Sequence, residues 1–230
     1  MQTKLERITE ISRKQTRTVF TSLYHLLNKE LLLQCHSELN GKKAVGIDGV
    51  SKSDYEENLE FNIDNLVIRL KNKNHKPMPS LRKHISKGNG KTRPLGIAIY
   101  EDKIVQLALK KIVEAVFEPK FLECMYGFRP KRGCHDALKR LNKNIEKSKA
   151  NYVLDADIKG FFNNVSHEWI IKCLEVHIKD PNINRLILKY LKAGIMEDGV
   201  YEPSTSGTAQ GGLCRARHNP PYVEINVMPS

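Results

Sequence analysis

Two aspartates stand two residues apart at the end of an apolar run, Tyr152-Val153-Leu154-Asp155-Ala156-Asp157-Ile158-Lys159-Gly160-Phe161-Phe162. In a strand, residues i and i+2 share a face, so Asp155 and Asp157 would project together. Carboxylates so placed are hard-oxygen ligands for Mg2+. Two-metal phosphoryl transfer needs at least two such groups, usually from different strands. The same pattern also reads as strand-end aspartates that cap the next turn or pair with Lys159.

Three further segments have side chains suited to phosphate chemistry. Lys83, His84, Lys87, Lys91 and Arg93 crowd a short stretch around Asn89-Gly90, a strong hairpin-turn signal. Cations on such a hairpin suit a triphosphate or a nucleic-acid backbone. A charged, solvated hairpin that protects a sheet edge has the same composition. In Tyr126-Gly127-Phe128-Arg129-Pro130-Lys131-Arg132, aromatics alternate with cations, as stacking and phosphate contact require; a packed loop entering a helix would look similar. His135, with no second histidine at ligand spacing, reads as structural. Finally, Ser206-Gly207-Thr208-Ala209-Gln210-Gly211-Gly212 is a glycine-rich turn that lets backbone approach a ligand closely.

The elements that must position these segments follow from periodicity. Residues 4–40 read as helix, with Leu23, Leu26, Leu27, Leu31 and Leu32 on one face, and 53–73 as a second helix after a glycine-marked break at 44–50. Strands are expected at 81–86, 92–99 and 152–158, and helices at 101–117, 133–147, 167–178 and 182–193. Helices, a hairpin, helices, one strand and more helices make an α+β chain rather than regular βαβ alternation.

The bulk composition narrows the partners. Among 230 residues, 38 are Lys or Arg and 26 Asp or Glu, a formal net charge of +12 and a pI near 9.4. Such a surface attracts polyanions, nucleic acid first among them. A membrane partner is not expected: no apolar run reaches the ~20 residues needed to span a bilayer, and no helix pairs a large apolar face with a basic one. Met1 to Arg7 lead into no apolar signal segment, so a cytoplasmic location is expected. Cys35, Cys124, Cys134, Cys173 and Cys214 form no Cys-x-x-Cys and read as reduced structural thiols.

In this order, the segments resemble the motifs of group II intron-encoded reverse transcriptases. Ile85 to Ile97 resembles the family's first motif, Tyr126-Gly127-Phe128-Arg129-Pro130 through Leu138 its second, and Asp155 to His167 polymerase motif A. Gly207-Thr208-Ala209-Gln210-Gly211-Gly212 resembles the start of motif B. Phe20 to Asn28 and Lys43 to Val50 resemble the N-terminal extension. The resemblance covers roughly residues 15–213.

It implies a right-hand polymerase, with a helix-rich extension at 1–80, fingers with the basic hairpin at 81–150, and part of the palm at 151–213. Asp157 matches the aspartate that binds both catalytic Mg2+ ions, and the carbonyl of Ile158 would be a further ligand. Asp155 would support them from behind. Phe162 matches the steric gate that selects dNTPs. Lys87 or Lys91, with Arg93, matches the cations on the incoming triphosphate, and Gln210 a glutamine near its sugar. Lys83, His84, Arg129, Lys131 and Arg132 would contact RNA. The implied partners are intron RNA and a template-primer; homodimerisation through fingers or an uncovered palm edge is compatible with this architecture.

The chain also departs from the pattern. Ala209 stands where the family has proline, and residues 214–230 diverge, with Pro220-Pro221 ending any helix; they read as an aberrant tail. No Tyr-x-Asp-Asp occurs, and no Asp-Asp dipeptide at all. The chain is therefore expected to stop before the second metal carboxylate and to be inactive alone. A non-catalytic maturase fragment that binds intron RNA and assists its folding and splicing is the alternative.

Overall fold

The computed structural model describes residues 2–86, 92–127, 129–147, 152, 154–156, 158 and 160–208. Helices come first: α1 (Gln2–Lys14), α2 (Lys29–Glu38), α3 (Lys52–Glu56) and α4 (Leu59–Lys71). The β1 (Ser80–Ser86) and β2 (Thr92–Ile97) ribbon follows, then α5 (Tyr100–Phe117) and α6 (Cys134–Lys147). After α7 (Phe161–Asn164), α8 (His167–Glu175) and α9 (Pro181–Leu191) come β3 (Ile195–Glu197) and β4 (Val200–Glu202).

One apolar core joins distant parts of the chain. Leu31, Leu32, Ile63, Leu66 and Leu70 pack with Ile104, Leu109 and Ile112 of α5 and with Ile170, Ile183 and Ile187 of α8 and α9. The 18-residue α5 is its axis, because its apolar residues recur at helical spacing on more than one face. The expected N-terminal helix over 4–40 is divided. α1 ends at Lys14, a turn at Thr16-Arg17 and a 3-10 turn at Tyr24–Leu26 follow, and Asn28 caps the start of α2 by accepting from the Leu31 N–H at 3.0 Å. Between the two turns, Phe20 bridges to Ile178 through the Phe20 N–H to His177 carbonyl and Lys179 N–H to Phe20 carbonyl bonds, both 2.8 Å. The second helix divides likewise at Glu57-Asn58, with Ser51 and Asp54 forming a capping box at the start of α3.

Asp180 fastens these halves. Its carboxylate caps α9, accepting from Asn182 and Ile183, and also accepts from the Leu23 and Tyr24 N–H groups at 2.6 and 2.8 Å. The sheet has the order β2-β1-β3-β4. β1 pairs antiparallel with β2 (Leu81 opposite Ile97) and parallel with β3 (Ser80 opposite Ile195). The β3–β4 hairpin was not expected. Asp198-Gly199, both at positive φ (47° and 81°), is its turn, an Asp-Gly signal in plain view between two short apolar runs.

The expected strand at 152–158 is a correction. Its described residues carry no strand, and Tyr152 and Leu154 are 94% and 88% exposed. An apolar run becomes a strand only where neighbouring strands complete its hydrogen bonds, and among the described residues none pairs with it.

Candidate nucleic-acid interface

The tail of the aspartate segment and the glycine-rich turn meet. Gly160, at φ 66°, turns the chain into α7; Asn164 donates back to its carbonyl at 2.9 Å and closes the turn. The Gly207 N–H then donates to the Val165 carbonyl at 2.8 Å, and His167 Nε2 donates to the Gly207 carbonyl at 2.7 Å. His167 is buried, so this bond fixes its tautomer and leaves Nδ1 without a partner among the described residues. Ser206 reaches the Asn163 carbonyl at 3.4 Å.

The docked turn closes a cleft of about 170 Å³ against the basic ribbon, lined by Arg82, Pro94 and Gly96, by Asn163, and by Ser204, Ser206, Gly207 and Thr208. Three of the four segments singled out in the sequence thus share one concavity. Arg82 was not singled out; Asn163 and His167 lay inside the motif A stretch and Ser206 opened the glycine-rich turn, with no role assigned to any of them. The signal for Arg82 was its adjacency to the basic cluster that begins at Lys83.

The ribbon's cations divide by face. Arg82 Nη1 bridges Glu197 and Glu202 at 2.8 and 2.9 Å, and His84 Nε2 meets Glu197 at 2.6 Å. Arg82 first, and then His84, hold the Glu197 carboxyl below the ordinary carboxylate range. His84 therefore ties β1 to the β3–β4 hairpin rather than standing ready for a phosphate. Lys83, at the alternate position, is exposed. Lys87 and Lys91 lie outside the described residues, as does the Arg93 side chain.

The aromatic-arginine loop is organised inward. The Arg129 side chain is 7% exposed; it holds Glu118 at 3.0 Å and the carbonyls of Leu122 and Met125 at 2.7 and 3.1 Å, with its guanidinium over Phe121. Arg132 binds the carbonyl and carboxylate of Glu123, both at 2.6 Å, over the Tyr126 ring. These two arginines, expected at RNA, are engaged in ordering the loop, because a buried guanidinium must have its donors satisfied. Lys131, at φ 59°, is exposed between them.

Asp157, the side chain of Phe162, and Gln210 lie outside the described residues. Asp155 and Ile158 are exposed. Their oxygens are of the type that divalent magnesium takes, but among the described residues no three His, Cys, Asp or Glu side chains converge. The described donors fit in type and fall short in number of a two-metal site. Among the described residues no helix is long and apolar enough to cross a membrane.

The family model for reverse transcriptase (RNA-dependent DNA polymerase) matches residues 82–214. The group II intron-encoded protein LtrA of Lactococcus lactis subsp. cremoris is 37% identical over 211 residues, covering 91% of this chain and 35% of that protein. Protein YkfC of Escherichia coli (strain K12) is 32% identical over 75% of this chain and 46% of its own length. A 91 kDa protein in the cob intron of Schizosaccharomyces pombe is 33% identical over 82% of this chain and 23% of its own. The chain thus spans less than half the length of each of these relatives. Polymerases of the matched family generally work with divalent metal ions. The matched span runs from the β1–β2 ribbon through the glycine-rich turn that closes the cleft, and on that match the chain belongs to the reverse transcriptase family, of the group II intron-encoded kind.

Proposed function

We propose that this chain is the fingers and part of the palm of an RNA-directed DNA polymerase that binds intron RNA and a template-primer and, in the whole protein, adds dNTPs. In this reading 1–80 is the helical extension, 81–150 the fingers, 151–213 the partial palm and 214–230 a divergent tail. The observation that carries it is the docking of Gly207 on Val165 and His167, which lays the start of motif B on the tail of motif A beside the basic ribbon. A cleft of about 170 Å³ so built offers backbone to a sugar or a single phosphate, less than a whole nucleotide. Lys87, Lys91 and Arg93 are the proposed triphosphate cations, Phe162 the gate, Gln210 the sugar contact, and Lys83 and Lys131 the RNA contacts. Asp157 and the Ile158 carbonyl would hold Mg2+, which supplies Lewis acidity when bound.

The second reading, an RNA binder without catalysis, is favoured by one observation: the chain has no Asp-Asp dipeptide, and the carboxylates of one segment alone do not hold two ions. Primer extension on an RNA template, with RNA binding measured on the same sample, separates the two. The 230-residue chain is expected to bind RNA without extending the primer. Extension abolished by Asp157→Ala would show that another carboxylate completes the site, and RNA affinity indifferent to salt would overturn the binding reading itself.

A further inference from the structure

A second concavity, of about 630 Å³, lies between residues 76–79, the C-terminal half of α9, and β4. Four cations line it: Lys76, Arg185, Lys189 and Lys192. Arg185 and Lys189 stand on α9 and Lys192 is its C-cap, at i, i+4 and i+7, and so the three share one face. Among the described residues, no acidic side chain lines the groove. Like charges gathered without a counter-charge repel one another, and an anion relieves that repulsion. Burial, and then Arg185 and Lys76, push the Lys189 ammonium below its ordinary range.

The groove is built, not accidental. Lys189 Nζ is held by the carbonyls of Lys73 and His75 at 3.0 and 2.8 Å. The proline-rich wall is pinned where the Met78 N–H meets buried Asp102 at 2.9 Å and the Ser80 N–H meets the Gly194 carbonyl at 3.1 Å. Gly194, at φ 78°, lets the Tyr201 ring lie against its backbone; a Cβ there would stand 2.5 Å from the ring. The ring is thereby fixed, and Tyr201 remains 48% exposed beside half-buried Pro79. A fixed aromatic face among cations is what single-stranded nucleic acid uses, base on ring and phosphate on ammonium or guanidinium. Tyr201 alternates with Glu202, whose partner Arg82 lines the motif cleft, so this groove lies on the other face of the β3–β4 hairpin.

We infer that the Lys76–Arg185–Lys192–Tyr201 groove binds a single-stranded RNA segment apart from the motif cleft, with a base on Tyr201 and phosphates on the α9 cations. This rests on the reading of the chain as an RNA binder.

The test is fluorescence anisotropy with a labelled oligouridylate of about 20 nucleotides, from roughly 50 to 200 mM salt. Arg185→Gln with Lys192→Gln removes two charges from the groove and is expected to weaken binding about tenfold. The log–log salt slope should flatten by roughly 0.7 for each phosphate no longer neutralised. Tyr201→Ala is expected to lose about tenfold, and Tyr201→Phe, which keeps the ring, to bind as the wild type does. Arg185→Lys with Lys192→Arg, which keeps the charge, should also bind normally and separates lost charge from lost fold. Wild-type binding that all these variants share would overturn the groove and leave the function standing. A wild-type chain that ignores the oligonucleotide at low salt would overturn both. Tighter binding to phosphatidylserine vesicles than to the oligonucleotide, lost in the Arg185→Gln/Lys192→Gln variant, would reassign the groove to a lipid surface.

Discussion

Replacing Asp180 by alanine tests whether one carboxylate joins the N-terminal segment to the helix that carries the basic groove. Asp180 is 2% exposed and accepts four backbone N–H bonds, at 2.6 Å from Leu23, 2.8 Å from Tyr24, 2.9 Å from Asn182 and 3.3 Å from Ile183. The two bonds at the start of α9 are an ordinary N-cap, whose loss costs ~0.5–2 kcal/mol. The bonds to Leu23 and Tyr24 are different. The Leu23 donor is buried, and an unsatisfied buried donor costs ~1–3 kcal/mol. Together the substitution should remove about 2–5 kcal/mol, a large share of the ~5–15 kcal/mol that holds a domain folded. Asp180→Asn keeps one acceptor oxygen and turns an NH2 group towards the other pair, so it should fall between alanine and wild type. Urea unfolding followed by far-UV circular dichroism measures both. The reasoning fails if Asp180→Ala costs under ~1 kcal/mol at an unchanged m-value, or if amide exchange at Leu23 and Tyr24 is no faster than in the wild type.

Acid should weaken the fold before carboxylates titrate. Burial holds the His36 and His177 imidazoles below their ordinary 6.5. Because the folded values are depressed, this stability is present above pH ~6.5 and lost as pH falls through the folded values; melting temperatures on either side of that range should show the drop, smaller in His36→Gln. Gly46→Ala would place a Cβ 2.5 Å from the Ile99 Cα and 2.6 Å from its nitrogen; backbone cannot swing aside, so a loss of roughly 1–3 kcal/mol is expected in the same urea assay. Arg82→Gln should raise the Glu197 titration midpoint towards that of a free carboxylate in a side-chain NMR titration, since Arg82 is the largest influence depressing it; an unmoved midpoint would contradict the bridge. Arg129→Lys should destabilise the chain while leaving the salt slope of RNA binding unaltered, because a lysine cannot span Glu118 and two carbonyls together.

Residue order alone carried the α+β class, the β1–β2 ribbon, α5 and α6 to within a residue or two, and the succession of motifs that the family match bears out. These are local matters: helical and strand periodicity, the Asn89-Gly90 sequence signal and the motif spacings are all written between near neighbours. Even two missed features had local marks, the Asn28 cap that starts α2 and the Asp198-Gly199 turn of the β3–β4 hairpin. What only the tertiary structure decided involves partners far away in the chain. Asp180 reaches back to Leu23, β1 finds β3 for a parallel neighbour, and Gly207 docks on Val165. The fate of each cation belongs here too. Arg129 and Lys131 stand two apart in one basic loop, yet one is buried on Glu118 and the other exposed. The groove of Lys76, Arg185, Lys192 and Tyr201 exists only because α9 packs beside the proline-rich wall. A side chain's type fixes which bonds it can make, but whether an acid, a carbonyl or open solvent lies within reach is set by how the whole chain packs.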